Sequence, residues 1–386
     1  MTDFDALVVG GGPAGSTAAR ELAASGARVL VVDREAFPRY KACGGGIPLR
    51  TERLLPFPID SVVEDAVSLL EVSYQGRWRF RKDSGRPFAH MVMRDRFDAL
   101  LLAQAERAGA QFRGGSPVRA LHDGPDGLAI ETADGFRASG RYLVCADGAH
   151  SPVGRMAGLG TDLAEVAAWE VEVRGGPAAT RYRGRALIDL GYRPWGYAWL
   201  FPKADVLSFG VVVPPGQAST MKGHVRRFID RLGFGGAEVA IARGHKVRLR
   251  RGGERIAAGR VLLAGDAAGL ADEFTEEGIS YAVESGRLAA RNVLRALGGD
   301  GCLDRYATDI DREILPELKG ARLIAHMFYG MLGRAPRPWL FAASHTPMLW
   351  DAFFAVQKGE STYAREVARF PWLARIAARQ LGMQWP

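Results

Sequence analysis

Leu7-Val8-Val9 is a short unbroken apolar run, Ser16 to Ala24 repeats small and apolar residues at helical spacing, and Val29 to Val32 is a second apolar run. Runs without polar alternation suit strands buried on both faces of a parallel sheet, so the opening predicts strand, helix, strand. The same pattern returns at Tyr142 to Cys145 and at Val261 to Leu263, the latter leading into a helical pattern from about Gly278 to Leu297. A further helix is predicted over Asp95 to Ala108. Between these segments the period changes to two. In Pro194-x-x-Tyr197-x-Trp199-x-Phe201-Pro202 the rings occupy alternate positions, with Gly196, Ala198 and Leu200 between them, and Leu207 to Val213 can pair alongside. The end of the chain is helical in pattern. Its longest mostly apolar window, Pro338 to Val356, contains His345, Pro347 and Asp351, so it reads as buried or interfacial and not as a membrane span.

Polar residues stand at the ends of the apolar runs. Gly10-x-Gly12-x-x-Gly15 joins the first strand to its helix, and Asp33 closes the second strand. Gly10 permits a tight turn, Gly12 a close backbone approach to a pyrophosphate, and Gly15 close packing of helix on sheet; the helix N-terminus offers N–H donors, and Asp33 can accept from a ribose diol. This combination binds a dinucleotide without choosing between FAD and NAD. Two later strands make the choice. Asp147-Gly148 and Gly265-Asp266 each follow an apolar run, and a second acid returning to the nucleotide suits a cofactor with a long polyol, which FAD has and NAD lacks. Arg94, at the start of the Asp95 helix, is a further cofactor candidate.

Composition narrows the class. The 386 residues, 47% hydrophobic and 24% charged, are enough for one large or two interleaved domains with a sizeable core. The acidic N-terminus running directly into a strand does not read as a signal or transit peptide, and Cys43, Cys145 and Cys302 have neither metal spacing nor a pairing framework. A reduced, cytoplasmic setting is therefore expected. A net charge of +8 without a basic motif block argues against nucleic acid, and no His/Asp/Glu cluster suggests a metal; His150 and His245 are isolated. From Tyr363 to Leu381, Arg365, Arg369, Arg375 and Arg379 are spaced among Phe370, Trp372, Leu373 and Ile376, with Pro371 breaking the stretch into two short helices. Peripheral contact with anionic lipid and a plain solvated surface are both open for it.

Together the three strand-tip fingerprints resemble those of flavoproteins related to aromatic hydroxylases. The resemblance implies Asp266 on the ribitol, Asp147-Gly148 near the pyrophosphate, and the helix after Gly278 directing its positive end at the flavin pyrimidine ring. Pro38-Arg39-Tyr40-Lys41-Ala42-Cys43-Gly44-Gly45-Gly46 and the ring motif are similar to the geranylgeranyl reductase family, flavoenzymes that saturate double bonds of prenyl chains on pigments, lipids or quinones. This likeness covers roughly the first 300 residues. It departs at one loop: where members often read Asp-Pro-x-Thr-Gly-Glu-Gly-Ile, this chain reads Asp272-Glu273-Phe274-Thr275-Glu276-Glu277-Gly278-Ile279.

The resemblance implies an α/β chain with a Rossmann-type FAD-binding domain over 1–70, 91–165 and 251–300. Interleaved with it is a mostly antiparallel sheet domain for substrate over 71–90 and 166–250, and 301–386 forms a helical C-terminal region. The implied activity is reduction of a prenyl chain by hydride from reduced flavin N5, with NADPH or another donor supplying electrons. Tyr197, Trp199 and Phe201 read either as the wall of an apolar substrate channel or as an ordinary core face, and the first is favoured. An isolated alkene builds positive charge on its tertiary carbon during reduction, and ring faces stabilise cations. Tyr197, Cys43 and a water are the candidate proton donors; Cys43 is alternatively a loop thiol without a role. A flavin monooxygenase or halogenase is the alternative enzyme, although a halogenase of this group would show Trp-x-Trp-x-Ile-Pro where Tyr197 and Phe201 stand. A non-catalytic flavin-containing prenyl-lipid carrier is the third reading.

Overall fold

The computed structural model describes residues 3–125, 127–192, 196–300 and 303–385, so Pro194 of the ring motif and Cys302 lie outside the described residues. The chain forms two compact units, one made of 1–40, 95–164 and 247–318, the other of 41–94, 165–246 and 319–386. Residues 41–70, with the Cys43 loop, belong to the second unit, and 301–318 to the first.

In the first unit the apolar runs become the centre of a sheet ordered Ala257–Ala258, Val261–Leu263, Arg137–Cys145, Phe4–Val9, Val29–Val32, Gln111–Arg113. The four neighbouring pairs from Val261–Leu263 to Gln111–Arg113 are all parallel. Leu7, Val8, Val31, Leu143, Val144 and Leu262 are fully buried, as strands covered on both faces require. The helices Pro13–Ala24 and Ile279–Arg295 pack so closely that a Cβ on Gly286 would stand 2.4 Å from the Ala14 carbonyl oxygen. Glycine at 286 permits that crossing.

The second unit is built on a seven-stranded sheet ordered Val239–Leu249, Ala164–Arg174, Val206–Val213, Tyr197–Pro202, Arg185–Leu190, Leu69–Tyr74, Arg77–Asp83. Tyr197–Pro202 pairs antiparallel with Val206–Val213 on one side and with Arg185–Leu190 on the other. Alternation then separates its two faces. Ala198 and Leu200 join Phe209 and Val211 in a core under the helix Met221–Arg231, whose Val225, Phe228 and Ile229 are buried there. The ring face points the other way, toward a cluster holding Leu332, Leu340 and Phe354 of the C-terminal helices. As the proline predicts, Tyr363–Ala368 and Pro371–Gln380 are separate helices. Among the described residues no helix is long and apolar enough to cross a membrane.

Candidate cofactor and substrate sites

The glycine loop of the first unit is shaped by contacts that side chains would forbid. Gly10 has φ +105°, and a Cβ there would stand 2.2 Å from the Ala146 carbonyl oxygen; one on Gly15 would stand 1.8 Å from the Gly10 carbonyl oxygen. Gly12 is the N-cap of Pro13–Ala24. Asp33 is buried and holds the loop from behind, its Oδ2 accepting the Gly11 N–H at 2.7 Å and its Oδ1 the Glu35 N–H at 2.9 Å. Each oxygen retains acceptor capacity for a ribose hydroxyl.

One cation beside this loop did not stand out in the sequence. The guanidinium of Arg39 lies 4.8 Å over the Phe37 ring and 3.1 Å from Asp98, whose side chain is fully buried. Nη1 is the atom that faces Asp98, whereas Nη2 stands 3.5 Å from where a Cβ of residue 12 would be. A largely buried cation held by Asp98, with its other nitrogen turned to a glycine loop and a helix N-terminus, suits a diphosphate. In the sequence Arg39 is one residue of a motif, and only the fold brings it back to Gly12.

The other two fingerprints differ in what their acids do. Asp147 accepts the Ser151 hydroxyl at 2.6 Å and the Val153 N–H at 2.9 Å, so its carboxylate fixes the turn into Pro152–Met156; burial pushes its pKa up despite those bonds. Gly148, at φ +79° with open space at its Cβ position, leaves the backbone approachable. Gly265, at φ +61°, donates its N–H to Ser285 Oγ at 2.9 Å. The Asp266 carboxylate stands 3.5 Å from a Cβ built on Gly278, the N-cap of Ile279–Arg295, which places this acid at that helix's positive end. Arg94 begins the helix Arg94–Arg107 and is buried. These glycines, Arg39 beside Gly12 and the acids at two strand tips fit FAD.

In the departing loop, Asp272 accepts from the N–H groups of Phe274 and Thr275 and from the Thr275 hydroxyl, and its own carbonyl takes the Glu276 N–H at 3.1 Å. The closed turn drives Glu276 to φ +57°, a conformation suited to glycine. Its Oε2 is shut away from solvent and has no hydrogen-bond donor, so burial first, then Asp272 and Glu273, hold this carboxyl well above the usual carboxylate range.

The ring ladder is built entirely in the second unit. Trp199 pairs with Gly210, and its indole occupies the space a side chain there would need, 2.0 Å from a built Cβ. Trp199 is buried, whereas Tyr197 and Phe201 remain partly exposed as they pack against the aromatic-rich cluster of the C-terminal helices. Ring centroids are 6.2 Å apart for Tyr197 and Trp199 and 6.3 Å for Trp199 and Phe201. A Cβ on Gly44 would meet the Phe201 ring at 2.8 Å and the Trp199 Nε1 at 3.0 Å, so the loop carrying Cys43 lies directly on the ladder.

Polar groups line the same end. Trp199 Nε1–H donates to Ser208 Oγ at 3.3 Å, Ser208 donates to Glu170 at 2.7 Å, and the other Glu170 oxygen accepts the Cys43 N–H at 2.5 Å. Beside them Lys203 and Glu172 form an ion pair at 2.9 Å, with side chains 1% and 4% exposed. The alternation Trp169-Glu170-Val171-Glu172-Val173 carried a signal, two acids on one face of an otherwise apolar strand, that the rings overshadowed. Lys41 approaches His245 at 2.9 Å. Among the described residues no cluster of His, Cys, Asp or Glu could hold a metal.

A family profile described as FAD binding domain matches residues 3–175. Geranylgeranyl diphosphate reductase of Rhodobacter capsulatus is 31% identical over 302 residues, 76% of each chain. Digeranylgeranylglycerophospholipid reductase 1 of Methanopyrus kandleri is 30% identical over 84% of this chain and 90% of its own. A crystal structure of a geranylgeranyl bacteriochlorophyll reductase-like protein from Thermoplasma acidophilum covers 98% of this chain and 99% of its own, with a TM-score of 0.75 at 22% identity.

Proposed function

Since the chain belongs to the geranylgeranyl reductase family of FAD-dependent oxidoreductases, we propose that it saturates carbon–carbon double bonds of a prenyl chain carried on a lipid, quinone or pigment. Fold likeness at 22% identity does not select a substrate, so the reading rests on this chain's own side chains. The observation that carries it is the partly exposed ring face of Tyr197 and Phe201 with the Cys43 loop and a hydrogen-bonded carboxylate at its end.

Bound reduced FAD supplies hydride from N5. The chain's residues do the rest. Gly10, Gly12, Gly15 and Arg39 hold the diphosphate, Asp33 a ribose hydroxyl and Asp266 the ribitol, with Gly148, Gly265, Gly278 and Arg94 completing the cofactor contacts. Tyr197 and Phe201, the partly exposed rings, align the chain and exclude water with the buried Trp199 packed between them; ring faces stabilise positive charge on the tertiary carbon by up to about 2 kcal/mol. Tyr197, the Cys43 thiol or a water held by the Glu170–Ser208 pair delivers the proton, and Glu170 fixes the Cys43 loop in place for that transfer. The electron donor to a bound FAD would be NADPH or a ferredoxin-like protein.

The deciding experiment is anaerobic reduction of the bound flavin followed by mass spectrometry of prenyl-diphosphate, prenyl-lipid and prenyl-quinone substrates. A gain of two hydrogens per double bond is expected. A gain of oxygen under air would make the protein a monooxygenase, and tight substrate binding without reoxidation of the flavin would make it a carrier.

A further inference from the structure

The C-terminal helices expose apolar and basic side chains together. Of ten large hydrophobic residues exposed among the described residues, seven fall between Met331 and Ile376. The helix Pro371–Gln380 shows how they are arranged. Ala374, Ala377 and Ala378 are buried in a cluster with Leu323 and Val367, while Trp372 and Ile376, one turn apart, are 63% and 50% exposed. Arg375 and Arg379 are exposed within the same arc of about 100°, at 3.6 residues per turn. The helix contains no acid.

The helix Pro336–Ser344 repeats the arrangement. Phe341 is 68% exposed, and Arg337, one turn earlier, lies 4.6 Å over the ring of the exposed Trp78. Met348 and Leu349 are exposed at the start of the next helix. On the inside, Leu340 and Phe354 of this helix pair belong to the cluster against which Tyr197 and Phe201 pack. The same two helices therefore cover the ring ladder inwardly and show apolar side chains outwardly. Residues 331–386 carry seven Arg and Lys against three Asp and Glu, in a chain of net charge +8. Pairing with a second copy would oppose like charges, whereas a lipid bilayer with anionic headgroups offers an apolar layer under a negative rim.

We infer that the outer face of Pro371–Gln380 docks on an anionic bilayer, with Trp372 and Ile376 entering the interface and Arg375 and Arg379 on lipid phosphates. The inference gives the prenyl-reductase reading its route to a substrate still anchored in lipid. Its test is independent of that reading, because the vesicles contain no prenyl chain.

The FAD-loaded full chain is sedimented with vesicles of phosphatidylcholine alone and of phosphatidylcholine with phosphatidylglycerol. Binding to the anionic vesicles, weakened by salt, is expected. The pair Trp372→Ser with Ile376→Ser should lower it at least tenfold, and Arg375→Glu with Arg379→Glu should abolish it, with FAD content and melting temperature unchanged. Trp372→Phe should retain binding. No sedimentation of the parent protein overturns the inference, as does parental binding by the serine pair. A concentration-dependent dimer that the serine pair dissolves, without vesicle binding, assigns the face to a second copy and overturns it equally.

Discussion

Glu276 stands where the resembled family pattern often has glycine, and the backbone there has a conformation suited to glycine. A non-glycine residue at φ +57° costs on the order of 1–3 kcal/mol, and its buried, under-bonded carboxyl adds to this. Glu276→Gly is therefore expected to stabilise the protein by about 1–2 kcal/mol at neutral pH, part of the gain being offset by glycine's unfolded-state entropy. The effect should depend on pH. Unfolded, this group ionises around its ordinary value of 4.5; folded, it keeps its proton to a much higher pH, so across that interval the unfolded state binds fewer protons and stability falls as pH rises. Denaturant melts of the parent, Glu276→Gly and Glu276→Gln at several pH values test this. Both variants should gain on the parent as pH climbs above 4.5, and a constant difference would show that the carboxyl ionises equally in both states. Arg39 gives a second test at this scale. Arg39→Met should weaken FAD binding by roughly 10- to 100-fold, the worth of one or two charge-assisted hydrogen bonds, as read by flavin fluorescence titration. Asp98→Asn, which keeps the guanidinium and removes its buried counter-charge, should weaken it far less.

Single strands were easier to read than the meetings between them. The glycine loop, the helix after Gly278 and the period-two ring strand were legible because each is a local pattern, with spacing that only one secondary structure satisfies. The neighbours of Trp199 were not legible. Its indole lies on Gly210 and its Nε1–H leads through Ser208 to Glu170, and both contacts depend on a register that local spacing does not specify. Register also gives the three rings different surroundings, since Trp199 is buried while Tyr197 and Phe201 are partly exposed. Trp199→Ala should accordingly cost about 3–5 kcal/mol of stability. Phe201→Ala should instead slow reoxidation of reduced flavin by the prenyl substrate more than it lowers the melting temperature. Gly210→Ala isolates the contact, since the new methyl displaces the indole and should cost about 1–3 kcal/mol without touching any ring directly. A Gly210→Ala protein that melts with the parent would mean that the indole does not lie on that strand.

The whole chain interleaves its two units, each made of three segments, and such organisation was visible only as alternating pattern types. The crossing at Lys41 is an example. The Rossmann pattern ends at Asp33, and nothing local says that Arg39 stays with the cofactor unit while Cys43 goes with the ring sheet. The proposed FAD contacts fall chiefly in the first unit, and ligand linkage measured on the intact protein tests them. Saturation at about 100 times the dissociation constant should stabilise the folded chain by about 2.7 kcal/mol, and Arg39→Met should remove most of the accompanying rise in melting temperature at the same FAD concentration.

The ion pair of Lys203 with Glu172 constrains how this protein can change. Removing one partner strands a charge in the interior, a loss of about 3–5 kcal/mol that a marginally stable domain seldom survives, whereas two apolar replacements made together are often close to neutral. The side chains are 1% and 4% exposed, so water cannot rescue the survivor. Mutational paths through this part of the sheet must then pass two positions in one step. A library that varies residue 172 or 203 singly should recover almost only the parental residue at each, while a library that varies both should recover apolar pairs, and the difference between the two harvests measures how far the pair is locked by the path of mutation.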